Sequence, residues 1–263
     1  MRRRYFNNRI INNNKIIIYT SSDNLIVVPF LYNFGANVIT NTISNDIGKI
    51  TFDNSVTEIG NLAFRFCNNL TSIIIPNSVT SIGYGAFSEC DNLTSVNIPD
   101  SVTTIEDDVF DRCTSLTSIT IPDSVTWIGN SVFSGCTSLT SITIPESVAS
   151  IEDYTFSNCS SLTSITIPKS VTSIGYGAFR YCESLTSVTI PNSVTTIGRY
   201  AFYDCYRLTS VYCKATTPPS LGGSVFDNNG SGRKIYVPAG SVNAYKSADG
   251  WSGYASDIVG YNF

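Results

Sequence analysis

Among residue types able to do chemistry, cysteine is the one this sequence arranges most regularly. Cys67, Cys90, Cys113, Cys136, Cys159, Cys182 and Cys205 follow one another at a step of 23 residues, and an eighth, Cys213, stands outside the series. Eight thiols suggest disulfides or a metal site. Side chains stacked at one repeat position point the same way and lack the dihedral a disulfide needs. Zinc needs four converging thiolates, and a straight row does not converge. The spacing therefore reads as a buried column of free thiols acting as small apolar groups, with no cofactor and no metal. On that reading Cys136→Ser lowers stability by about 1–3 kcal/mol, as a buried hydroxyl without a partner.

The chain contains no histidine. Ser-His-Asp triads, Cys-His pairs and His-ligated zinc are excluded. Asp227-Asn-Asn229-Gly-Ser231-Gly232 resembles the opening of a calcium loop, but Pro238 stands where the bidentate acid is due, so the stretch reads as a Gly/Asn turn. The densest acidic cluster is Glu106-Asp107-Asp108 with Asp111, and Glu152-Asp153 aligns with it two repeats later. A solvated loop face is expected there. Paired carboxylates can hydrolyse glycosides, but these occupy loop positions of a regular repeat and nothing builds a pocket around them. No G-x-S-x-G or Walker loop is present, and Gly83-Tyr-Gly85 and Gly175-Tyr-Gly177 are turns of the repeat. The expectation is a protein that is not an enzyme.

The repeat must position all of these residues. Phe64, Leu70 and Pro76 recur at the cysteine step, and residues 54–214 hold seven units of 23 with no insertion or deletion. In the unit 123–145, strand chemistry falls at Val125–Ile128 and at Leu139–Ile144, where Ile142 and Ile144 alternate with Ser141 and Thr143. Pro145 ends the pairing. The segment around Phe133 is long enough for one turn of 3-10 helix. Val125, Ile128, Phe133, Cys136, Leu139, Ile142 and Ile144 are the expected core. One such unit cannot offset the entropy of ordering its own backbone, so units must stack and bury each other's faces. Parallel strands then lie about 4.8 Å apart.

Leu-x-x-Ile-x-Ile resembles the strand of leucine-rich repeats. The wider string, Cys136-Thr-Ser-Leu139-Thr-Ser-Ile142-Thr-Ile144-Pro145-Glu146-Ser-Val148 with Ile-Gly and Ala/Val-Phe, resembles the BspA-type leucine-rich repeats of bacterial surface proteins. The flanks are similar to the same gut-bacterial group more loosely, at Tyr19–Asp23, Phe34–Asn37 and Ile235–Tyr245. The resemblance implies adhesins or binding proteins without enzymatic activity. The expected fold is a mainly β, leucine-rich-repeat-like solenoid of seven coils with short 3-10 turns and a β-rich cap at each end.

Three segments follow: an N-terminal arm and β cap (1–53), the repeats (54–214), and a degenerate repeat with a C-terminal cap (215–263). Strand-like runs in the first lie at Lys15–Tyr19, Leu25–Phe30, Asn37–Asn41 and Gly48–Phe52. In the last, Ile235-Tyr-Val237-Pro238 reads as a degenerate eighth strand and 241–248 as a short helix. Trp251, Tyr254 and Tyr261 are expected to cover the last coil.

Outward strand positions pair Ser with Thr, as in Ser118/Thr120 and Ser164/Thr166, a flat uncharged face of β-formers. Variation gathers instead around the Phe and Cys positions. In the last two units it becomes Tyr176, Arg180, Tyr181, Arg199, Tyr200, Tyr203, Tyr206 and Arg207, where the middle unit has Asn130, Ser131, Ser134 and Gly135. Tyr and Arg are recognition residues, able to stack on sugars and to fork onto carboxylates. They are the candidate ligand-binding patch.

Net charge is −4, from 16 Lys+Arg and 20 Asp+Glu, which argues against nucleic acid or an anionic membrane as partner. Met1-Arg-Arg-Arg4 is not followed by an apolar stretch, so no secretory leader and no membrane insertion is read. Two functions fit. One is surface recognition of a protein or glycan on a cell. The other is a bacteriophage virion component, docked to a larger assembly through Met1–Asn14. Localisation is accordingly extracellular, on a bacterial or virion surface.

Overall fold

The computed structural model describes residues 13–30 and 34–263. The arm expected at Met1–Asn14 lies outside the described residues apart from Asn13 and Asn14.

Each coil has two strand positions and a connector. The first position is a two-residue strand ending in a buried apolar side chain, as in Thr104–Ile105, Trp127–Ile128 and Ser150–Ile151. These pair in parallel at equivalent repeat positions, Ile105 opposite Ile128 and Ile151 opposite Ile174. In five successive coils a Ser before the Val ties the coil to the preceding turn, as where Ser124 Oγ donates to the Val102 carbonyl at 2.7 Å.

The second position carries the Leu-x-x-Ile-x-Ile residues. It forms full strands only toward the ends, at Leu70–Ile74, Ser95–Asn97, Ser187–Ile190 and Ser210–Cys213. In the central coils the strand expected at Leu139–Ile144 shrinks to single bridges, Thr120 to Thr143 and Thr143 to Thr166. The bonds between coils are longer there. Thr140 N and Thr163 N reach the preceding coil's carbonyls at 3.3 Å, against 2.9 Å for Thr94 N. The stacked Phe110, Phe133 and Phe156 rings in the same coils are 5.5–5.6 Å apart, wider than the usual strand spacing of about 4.8 Å.

The connector holds no 3-10 helix. It holds single turns, Ser134 N to the Ser131 carbonyl and Cys136 N to the Phe133 carbonyl, interrupted by residues of positive φ. Two such residues occur per coil, four apart: Ser131 (φ 54°) and Gly135 (φ 70°), then Tyr154 (57°) and Asn158 (58°). A left-handed residue stops a helix from propagating. It also turns alternate N–H groups outward. Ser131, Phe133 and Gly135 donate forward to the carbonyls of Asp153, Thr155 and Ser157 at 2.8–2.9 Å. The same three-bond pattern runs from Leu62, Phe64 and Phe66 to Tyr200, Phe202 and Asp204. Every coil therefore presents amides on one edge of this ribbon and carbonyls on the other.

Under the ribbon lies the core, with the Phe column from Phe64 to Phe226 stacked ring on ring. All seven expected core positions of the unit 123–145 are buried.

The N-terminal cap is antiparallel. Strand β3 (Ile47–Phe52) pairs with β2 (Val38–Ser44) on one side and β1 (Ile16–Ser21) on the other, and β1 then pairs antiparallel with Leu70–Ile74. The strand expected at Leu25–Phe30 does not form. Its backbone instead serves the ribbon's open carbonyl edge, Phe30 N donating to the Ala63 carbonyl at 2.8 Å.

At the other end Lys234–Pro238 continues the parallel ladder, as expected, and helix α1 (Val242–Ser247) follows. Trp251 and Tyr245 are fully buried, with Trp251 Nε1 donating to the Pro219 carbonyl and Tyr245 Oη to the Ala215 carbonyl. Tyr254 Oη accepts from Phe226 N at 3.2 Å and donates to Asp227 Oδ1 at 2.8 Å, closing the amide edge. Tyr261 meets the rings of Tyr236 and Tyr212 at 5.6 and 5.7 Å. It belongs to a further parallel strand, Ile258–Tyr261, because Ile258 registers with Ile235. Counting this strand, the degenerate eighth and the bridged central positions, the solenoid has about nine coils rather than seven.

Candidate functional site

The connector ribbon decides which side chains reach solvent together. Its backbone is consumed in bonds between coils, so only side chains vary. Tyr176 and Arg199 precede the first left-handed residue of successive coils. Tyr200 is that residue in its own coil, with φ 61°, and Tyr181 is the second in the coil before, also 61°. Arg180 and Tyr203 stand just before the second.

These six come together. The Arg180 guanidinium carbon lies 4.6 Å from the Tyr181 ring centroid, 5.5 Å from Tyr203 and 5.6 Å from Tyr200. Arg180 Nη2 donates to Tyr181 Oη at 3.0 Å. Arg199 lies 4.4 Å over the Tyr200 ring and donates to its hydroxyl. Tyr176 meets Tyr200 edge-on at 5.5 Å, and Tyr200 meets Tyr203 at 5.1 Å. Tyr206 and Arg207 are exposed on the following turn, and among the described residues no ring or cation contact joins them to the cluster.

Tyr154 extends the cluster, its ring 5.1 Å from Tyr176. Burial, then its contact with Tyr176, raises its hydroxyl pKa. It had a signal in the sequence, since it stands at the repeat position of Tyr200 two coils earlier.

Charge within the cluster is unbalanced. Arg65, Arg112 and Arg233 each have a carboxylate at ion-pair distance: Glu89 at 3.1 Å, Asp111 at 3.9 Å and Asp257 at 2.5 Å. Arg180, Arg199 and Arg207 have none among the described residues.

The other sequence candidates have structural partners. Asp107 Oδ1 accepts from Asn130 N at 2.7 Å and Asp153 Oδ1 accepts from Tyr176 N at 2.6 Å, so these carboxylates cap the next coil's backbone. At the Asp227–Gly232 turn the acceptors are engaged by a guanidinium. Arg233 donates to the Phe226 carbonyl, to Asn229 Oδ1 and to Asp257 Oδ2. Among the described residues no group of three or more His, Cys, Asp or Glu is arranged to hold a metal ion.

The eight thiols are free and buried. They are more than apolar fillers. Cys136 Sγ donates to the Phe110 carbonyl of the preceding coil at 3.2 Å, and Cys90, Cys113, Cys159, Cys182 and Cys205 repeat the contact. A hydroxyl at position 136 would therefore meet an acceptor, contrary to the expectation for Cys136→Ser. Burial pushes the thiols up, Cys205 and Cys213 to about 12.

Stacked coils, a Phe column and the Leu-x-x-Ile-x-Ile ladder define a leucine-rich-repeat solenoid. A model of the BspA type leucine rich repeat region matches residues 35–162 and 126–248, with 6 copies, and the chain belongs to that family. Solved structures similar to it include the Treponema pallidum leucine rich repeat protein TpLRR, 31% identical over 67% of this chain and 71% of that one, with a TM-score of 0.47. A leucine-rich repeat protein from Bacteroides ovatus is 30% identical over 75% of this chain and 61% of that one, with a TM-score of 0.48. A leucine rich cell surface protein from Faecalibacterium prausnitzii is 28% identical over 79% and 68%, with a TM-score of 0.41. No curated protein matches. No helix among the described residues is long and apolar enough to cross a membrane.

Proposed function

We propose that this chain is a non-enzymatic recognition protein displayed on a surface, which binds a protein or glycan of a cell through the connector edge of its last repeats. One observation carries this. Where the middle coil presents Asn130, Ser131, Ser134 and Gly135, the later coils gather four tyrosines and two arginines into one contact network. Cation–aromatic contacts hold these side chains in place before any ligand arrives, which lowers the entropic cost of binding. Aromatic and arginine anchors of this kind dominate known interfaces. The F. prausnitzii protein, described as a cell surface protein, supports display on a surface.

The test compares the chain with a Tyr176→Ala/Arg199→Ala/Tyr200→Ala variant on immobilised host glycans and matrix proteins. Loss of binding with a nearly unchanged unfolding midpoint supports the site. Equal binding by the variant rejects it.

A further inference from the structure

We infer that the Tyr/Arg edge recognises a carboxylate-bearing sugar, a uronate-type acid saccharide, with Arg180 and Arg199 forking onto its carboxylate and the tyrosines lying against its ring. This rests on the recognition reading above and names its ligand class.

The first ground is the unpaired charge. The arginines at 65, 112 and 233 pair with this chain's own acids. Those of the cluster do not, although acids are near in sequence at Glu183 and Asp204. Asp204 is buried and accepts instead from Asn228 Nδ2 at 2.8 Å. Arg180 is half-buried among three rings. Aromatic faces compensate a guanidinium only in part, and an arriving carboxylate supplies bidentate, charge-assisted bonds.

The second ground separates sugar from peptide. An extended peptide commonly adds to an open backbone edge. This edge has none: Gly177, Phe179 and Tyr181 donate to the carbonyls of Arg199, Ala201 and Tyr203, and Tyr200 donates to that of Gly223. Recognition must run through side chains alone. Rings, phenolic hydroxyls and guanidinium forks match the C–H faces, hydroxyls and carboxylate of an acid sugar.

The experiment titrates trigalacturonate, neutral galactotriose and a hexaglutamate peptide into the intact chain by calorimetry. The same probes compete with the chain's binding to its immobilised target. Trigalacturonate is expected to bind and galactotriose to bind at least about tenfold more weakly. Arg199→Gln is expected to remove most of that difference, and being on an exposed side chain it leaves folding intact. Arg180→Lys keeps the charge without the fork and is expected to weaken binding in the same direction. Equal affinity for galactotriose, or undiminished affinity in Arg199→Gln, overturns the inference. Hexaglutamate binding as tightly as trigalacturonate also overturns it, because the carboxylate is then read without the sugar. If the triple alanine variant loses its target while trigalacturonate fails to compete, the patch survives as a recognition site and the acid sugar falls. If the variant keeps its target, both fall.

Discussion

Cys136 Sγ lies 3.2 Å from the carbonyl oxygen of Phe110, one coil back in the stack. The same carbonyl accepts Cys113 N at 3.1 Å, so the thiol supplies a second, weak donor to an oxygen with two lone pairs. Ser keeps a donor at this position, Ala deletes it and leaves a small void, and Val deletes it and adds a methyl group to a close-packed column. Cys136→Ser should be the mildest, at about 1 kcal/mol or less, and Cys136→Val should cost about 1–3 kcal/mol. Urea unfolding of the three variants checks the order. Ser costing more than Ala would mean that the thiol contact is incidental.

The thiol column makes the fold sensitive to alkali. Burial raises Cys67, Cys90, Cys113, Cys136, Cys159, Cys182, Cys205 and Cys213 above their ordinary value of 9.0. The folded chain keeps these protons where the unfolded chain releases them. Their contribution is complete below pH 9 and is lost as pH rises above it, by about 1 kcal/mol per thiol at pH 10. Urea midpoints at pH 8 and pH 10 should therefore diverge steeply. Each Cys→Ala substitution should narrow the gap by about one thiol's share, and an unchanged gap would refute the linkage.

The left-handed positions give a prediction of opposite signs four residues apart. Ser131 has φ 54° where other coils place Gly85 and Gly177. Ser131→Gly should raise stability by up to about 1 kcal/mol. Gly135 has φ 70°, and a Cβ there would come within 3.1 Å of Arg112 Cγ. Gly135→Ala should lower stability by about 1–2 kcal/mol. Thermal unfolding of the two single variants distinguishes them by direction alone.

Arg233 ties the C-terminal turn together, its side chain 11% exposed and paired with Asp257. Arg233→Ala strands that carboxylate together with the Phe226 carbonyl. It should cost about 3 kcal/mol. Calcium at millimolar concentration should leave the wild type's unfolding midpoint unchanged. A calcium-dependent rise in the wild type would restore the ion-loop reading of Asp227–Gly232.

The coil was legible because its signals repeat at one spacing: Phe, Cys, Leu and Pro each mark a fixed place, and burial follows residue type. The connector was not. Its left-handed positions are filled by Leu62, Glu89, Tyr154 and Asn158 as well as by glycine, so residue type carries no sign of φ. Leu25–Phe30 read as a strand from its apolar run, but its backbone partner Ala63 is remote in sequence. At the candidate site, type and spacing picked six residues that the ribbon does gather. Arg207 fell outside because it follows the connector, on the turn toward the next strand. Tyr154 was overlooked because its match to Tyr200 spans two coils.

The one-way bonding of the ribbon has a bearing on what the two ends of the stack present. Each coil hands three amides forward and takes three from behind, so the stack is a polar object with unlike faces at its two ends. Unlike faces are what a heterologous contact requires, and repeated without closure such contacts build fibres. Phe30 at the carbonyl face and Tyr254 at the amide face each occupy one bond of the set that another copy would use. Each of these two residues thus covers part of a face whose amides or carbonyls the stack would otherwise leave open.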